Sequence, residues 1–215
     1  MAWFQLDPQS IATRARAAGS PVPTLGESVT RGIVGFTLVS VAGFVPWAAF
    51  GKWFTVYLGR SGNVGMYAAC AVVFLALTAP LLHRLIIGPG SVSRFYKVFG
   101  LSFTAYSIAW IIGWMSLGGH AGSIAGLASG TILMSLMLVA AFDALRSALK
   151  VFLSLFLLNS LGYFIGGVSE HFLMPVHKLA AMLSWGVFYG IGLGAGLGIA
   201  FHLCQERARR LLKGA

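Results

Sequence analysis

The sequence predicts an all-α polytopic membrane protein, a six-helix transmembrane bundle built from repeated helical hairpins. Three observations carry that prediction. The 215-residue chain is 58% hydrophobic and 9% charged, with mean hydropathy +0.85, outside the range of soluble domains. It contains several apolar runs of about 20 residues, each long enough to cross a hydrocarbon core of about 30 Å as a helix. Its basic residues lie between those runs, where the positive-inside rule places them. The formal charge of +10 therefore reflects membrane topology, and no nucleic-acid partner is expected.

Residues 1–31 read as a cytoplasmic segment with one short helix. Asp7 is a good N-cap and Pro8 suits the first helical position; the helix should run to about Ala18 and stop at Gly19. The stretch lacks the apolar core of a cleavable leader, so the first span should act as an uncleaved signal anchor. Pro21 and Pro23 make a linker. Thr24 and Glu27 fit a capping box, and Glu27 can pair with Arg31 one turn on.

Residues 32–204 form the membrane domain, with spans at 32–50, 63–83, 98–118, 122–142, 149–168 and 179–203. The first link, GKWFTVYLGRSG, carries Trp53 and Tyr57 as an interfacial aromatic belt. Pro80 should kink the second span, and IIGPGSVSR after it reads as a turn. FDALRSALK, residues 142–150, has no glycine or proline, so it fits either a displaced turn or a continuous helix. Residues 205–215 read as a basic tail. Cys70 and Cys204 fall at different depths, which makes a disulfide between them unexpected.

Twelve lysines and arginines fall on the side of both termini. They are Arg14, Arg16, Arg31, Arg84, Arg94, Lys97, Arg146, Lys150, Arg207, Arg209, Arg210 and Lys213. Lys52, Arg60 and Lys178 fall on the other. That asymmetry places both termini in the cytoplasm and the chain in a cytoplasmic (inner) membrane.

An internal repeat is visible. KVFGLSFTAYSIAWIIGWMS (97–116) aligns without gaps to KVFLSLFLLNSLGYFIGGVS (150–169), with eight of twenty positions identical. Spans 3–4 and 5–6 would then be duplicated hairpins in parallel orientation. No carboxylate lies near the middle of any span, which argues against an ion-coupled pump. Asp143, at the end of span 4, is expected to pair locally with Arg146. The polar residues at mid-depth are Tyr106 and Ser107 in span 3 and Asn159 and Ser160 in span 5, at equivalent repeat positions. They are the candidates for a transport path or ligand position, and their plainer role is hydrogen bonding between helices.

His120, His171 and His177, with Glu170 and Met174 nearby, fall on the non-cytoplasmic side. They are the metal candidates, but their spacing matches no closed ligand motif. His83 and His202 lie near cytoplasmic span ends; two such histidines could hold a haem only on facing helices at matched depth, and interfacial histidines at helix C-termini are the common case. No metal or haem is predicted. Arg84, Arg94, Lys97, Arg146, Lys150, Arg207, Arg209 and Arg210 form a collar suited to anionic lipid headgroups. No hydrolase triad, zinc motif, Walker loop or CxxC pair is present.

The run GVFYGIGLGAGLGIAFH lies inside the last span. Gly186, Gly190, Gly194 and Gly198 repeat every four residues and share one helix face. Gly192 and Gly196 lie about 200° away. Such a helix is thin on two sides, so it should be sandwiched between two neighbours.

These readings predict a non-enzymatic multi-pass membrane protein of transporter, channel or lipid-handling type. The alternatives are an assembly subunit of a larger membrane complex, and a metal- or haem-dependent membrane enzyme or electron carrier. Expected partners are the bilayer, anionic lipids, and other copies or membrane-complex subunits.

Overall fold

The structure, a computed structural model, describes residues 4–59 and 62–214, with side chains in the third helix from residue 65 onward. Arg60, assigned above to the non-cytoplasmic side, lies outside the described residues. Among these residues the regular structure is entirely helical. A short helix α1 (Pro8–Ala17) precedes six long ones: α2 (Leu25–Leu58), α3 (Gly62–Leu82), α4 (Ser91–Leu117), α5 (Gly119–Ala141), α6 (Ala148–Leu173) and α7 (Lys178–Cys204). A second short helix, α8 (Glu206–Lys213), ends the description. All six long helices are long and apolar enough to cross a membrane.

The long helices pack antiparallel in the order of the chain, and α7 closes the ring against α2. Short connections between sequence neighbours favour that up-and-down arrangement. The ring is tightest along α2–α7, α6–α7 and α4–α5, and loosest between α3 and α4.

Side-chain caps set three of the helix starts. Asp7 Oδ1 accepts from Ser10 N at 2.9 Å and caps α1. At α2, Thr24 Oγ1 accepts from Glu27 N at 3.2 Å while Glu27 Oε2 accepts from Thr24 N at 2.7 Å, a complete capping box. Glu27 is thus held by its cap, and Arg31 turns instead to the Arg84 carbonyl, donating at 3.3 Å. The expected Glu27–Arg31 pair does not form. His177 caps α7 through Nδ1, which accepts from Ala180 N at 3.2 Å.

Several boundaries differ from those expected, and α6 for one runs on to Leu173. α2 starts at Leu25 and runs on to Leu58, so most of the segment read as an aromatic link is helix. Nothing between Lys52 and Leu58 breaks a helix, and the glycine that ends it is Gly59, with φ +55°. α4 likewise starts at Ser91, directly after Gly90 in the left-handed region. Between α5 and α6 the chain turns. Asp143 adopts φ +52°, Ala144 N donates to Val139 O at 2.8 Å, and a 3-10 turn at Leu145–Ser147 leads into α6. Asp143 is not paired locally with Arg146. Its carboxylate accepts from Arg207 at 2.7 Å, because the turn aims it at α8. Pro80 stands inside α3 two residues before its end, and Pro46 sits within α2.

The apolar core is densest at the end of the bundle that carries α1 and α8. Phe36, Phe95, Phe99, Phe142 and Phe201 are fully buried there, with Leu6 and Ile11 from the α1 region against them. Gln205, at the α7–α8 junction, locks this end. It is 2% exposed. Its Oε1 accepts from Ile87 N at 2.8 Å, and its Nε2 donates to Leu85 O at 2.8 Å and Phe201 O at 2.9 Å. At the opposite end the helices present Phe50, Trp53, Tyr57, Tyr67 and Met115 outward.

α7 lies between α2 and α6. A methyl group on Gly194 would collide with the Gly32 carbonyl. On Gly198 it would stand 2.5 Å from Ser28 O, and on Gly190 2.5 Å from Thr37 Cα. Gly186 faces Phe44. From the other side, Gly192 meets Gly162, and Gly196 lies against Leu155. α5 packs on α4 by the same device, with Gly122 at Trp114, Gly126 at Trp110 and Gly130 at Tyr106.

Candidate functional site

Two places in the bundle gather polar chemistry. The first is its centre. Asn159 on α6 is 0% exposed and Tyr106 on α4 is 4% exposed, and Asn159 Nδ2 donates to the Tyr106 hydroxyl at 2.9 Å. The Tyr189 hydroxyl of α7 comes beside that of Tyr106. Two residues that the sequence alignment places at equivalent positions thus meet across the interior. Ser107 and Ser160 are half-buried one position further on, and the Oγ of Ser160 and the Oδ1 of Asn159 are buried with no hydrogen-bond partner. The surroundings of Tyr106 are ring and backbone: Phe103 stacks on it at 5.6 Å and Gly130 packs against it.

One open cleft lies at the end bearing the chain termini, between Asp7, Asp143, Arg207 and Arg210. Another lies at the opposite end, between Trp47, Lys52, Lys178 and Met182. Neither is lined by Tyr106 or Asn159. Replacing Asn159 by leucine removes one interhelical bond together with the orphaned oxygen beside it. The expected loss is about 1 kcal/mol of stability, read as a small fall in the thermal midpoint of the purified protein. A variant that failed to assemble would show the pair to be more than a packing contact.

The second place is the end that carries both termini, here the basic end. Twelve cations belong to it, against four carboxylates: Asp7, Glu27, Asp143 and Glu206. Each carboxylate is committed. Asp7 and Glu27 cap helices. Asp143 holds Arg207 at 2.7 Å, and Glu206 holds Arg210 at 2.5 Å. Hydrogen bonds from Ser10 keep the Asp7 carboxyl below its ordinary range, and Arg210 does the same for Glu206.

The eight arginines and lysines of the predicted collar do not act alike. Arg209 is 9% exposed and donates to the His202 carbonyl at the end of α7; burial lowers its pKa. It is part of the helix terminus. Arg207 and Arg210 are tied to acids. Arg84, Arg146 and Lys150 are exposed around the rim, as is Lys97. Arg94 is half-buried, and its guanidinium donates to the Pro89 carbonyl. Arg14, on the separate helix α1, is not among the eight. The fold brings it in.

The histidines stay apart. Among the described residues no three His, Cys, Asp or Glu side chains stand close enough to hold a metal, so His120, Glu170, His171 and His177 are not gathered into a ligand set. His120 lies beside Phe164, and His171 beside Phe172. His83 Nδ1 is 2.9 Å from Ser91 Oγ, and His202 Nδ1 is 3.5 Å from Ser28 Oγ. Each is engaged with its own neighbour.

Fold and composition together define a multi-pass α-helical membrane protein. No protein-family model, curated protein or solved structure matches the chain.

Proposed function

We propose that the protein is a non-enzymatic, lipid-handling membrane protein whose basic end faces the cytoplasm and holds anionic phospholipid headgroups. The observation that carries this reading is the charge balance of that end, twelve cations against four carboxylates that are all engaged. Exposed cations near a membrane surface attract acidic lipids by about 1 kcal/mol each. At the middle of the bundle Tyr106 and Asn159 are bonded to each other, which supports binding at an end over conduction through the centre. The same interhelical contact also suits a second reading, an assembly subunit whose outer faces are completed by partner helices.

The test is lipid selection. Protein reconstituted with phosphatidylglycerol and phosphatidylcholine should retain the anionic lipid preferentially by native mass spectrometry, and high salt should erase the preference. Replacing Arg84, Arg146 and Lys150 together by glutamine should weaken retention about 100-fold. Equal retention of the two lipids by the parent would overturn the reading.

A further inference from the structure

The turn between α3 and α4 brings together two arginines that lie 80 positions apart in the sequence. Gly88 and Gly90 both have positive φ, +93° and +65°. The turn they make is flat enough for α1 to lie on it, with Ala15 N 3.5 Å from where a Gly88 Cβ would be. α1 thereby sets Arg14 beside Arg94 of α4. Each guanidinium is steadied by a loop carbonyl, Gln5 O for Arg14 and Pro89 O for Arg94. The Nε of each is buried and has no partner. Both guanidiniums flank the same turn, Arg14 next to Ala15 at Gly88 and Arg94 at Pro89 and Gly90. Asp7 acts on Arg14 only at a distance and is held by its cap. Neither arginine takes part in an ion pair with any described carboxylate.

Like charges held side by side on a half-buried surface oppose each other unless an anion joins them. Guanidinium forks match phosphate oxygens in shape and charge, and bidentate contacts of this kind are the strong ones. From this geometry we infer that Arg14 and Arg94 form a phosphate-binding site at the junction of α1 and α4, the specific headgroup position of the basic end. The inference rests on the reading of that end as an anion-binding surface. It separates one built site from the diffuse collar of Arg84, Arg146 and Lys150.

The experiment compares the parent, Arg94→Gln, Arg14→Gln and the collar triple variant by titration calorimetry of purified protein. The probes are dihexanoyl phosphatidic acid, dihexanoyl phosphatidylcholine and inorganic phosphate. The parent should bind phosphatidic acid at least tenfold more tightly than phosphatidylcholine, and either single variant should weaken that binding about 10- to 100-fold. The collar variant should leave it within about threefold while losing, in the lipid-retention assay above, its preference for phosphatidylglycerol. Without lipid, the single variants should melt no lower than the parent, since like-charge repulsion is relieved. Arg94→Lys keeps the charge without the fork, and intermediate affinity is expected of it. Phosphatidic acid binding above inorganic phosphate identifies a lipid headgroup as the source, and equal binding identifies the phosphate group alone as ligand. Unchanged affinity in Arg94→Gln and Arg14→Gln overturns the site, and the collar reading still stands if the triple variant alone loses anionic lipid. No anion binding by the parent overturns both.

Discussion

Substituting Gly194 by leucine is expected to prevent the bundle from assembling, and even alanine should cost about 3 kcal/mol or more. A Cβ at this position runs into the Gly32 carbonyl, and Ile33 Cα stands 3.0 Å away. Both are backbone, so no rotamer change relieves the clash and α2 must move off α7. Overpacking a core that can adjust typically costs 1–3 kcal/mol, and a contact between two main chains belongs at the upper limit. The loss also spreads, because Gly198 and Gly190 hold the same pair of helices in register. Gly100→Ala and Gly167→Ala are the controls. Neither meets an atom within 4 Å, so both should stay within about 1 kcal/mol of the parent. Thermal unfolding and size-exclusion profiles in one detergent would compare these four variants with the parent. A Gly194→Leu protein that purified and melted like the parent would refute the close-packed α2–α7 contact.

The second large effect is expected at Gln205. Exchange for leucine keeps the volume and removes three hydrogen bonds, leaving Ile87 N–H and Leu85 C=O buried without partners. Each such group costs about 1–3 kcal/mol, so a loss of about 2–5 kcal/mol should follow. It should be local. The α3–α4 turn rests on this side chain, so hydrogen exchange should quicken at Ile87 before the helices loosen. Glutamate at the same position should be worse than leucine, because its carboxylate would be buried beside the Leu85 carbonyl. Unchanged exchange at Ile87 in the leucine variant would show that the turn is held by its apolar contacts alone.

The number and type of long helices could be read from the sequence because a hydrocarbon slab imposes its own length scale. Runs of about 20 apolar residues have almost no other interpretation. Their ends were harder to place. Trp53 and Tyr57 are interfacial residue types and so point to a link, although nothing before Gly59 stops the helix. By composition ERARRLLK reads as a basic tail. It is helical as α8, and its partner α1 lies nearly 200 positions earlier, beyond any local pattern. The same distance hid the Asp143–Arg207 pair, whose short-range rival Arg146 was the reasonable choice by spacing alone. Four-residue glycine spacing was visible in α7 and equally present, though passed over, at Gly122, Gly126 and Gly130 of α5. Spacing says which face is thin. It does not say which neighbour comes close, since that depends on the order of helices around the ring. Arg14 escaped for this reason too: its neighbour Arg94 is supplied by a turn whose shape depends on two glycines with positive φ.

The contact between α2 and α7 also sets a schedule for synthesis. Gly32 leaves the ribosome about 160 residues ahead of Gly194, which at ~5–20 residues per second is an interval of about 10–30 s. Throughout that time the side of α2 that carries Gly32 lacks its α7 partner, while four more helices enter the membrane. Ring closure is therefore a late event, and the newborn chain depends on lipid, or on an insertion factor, to keep α2 from other helices in the meantime.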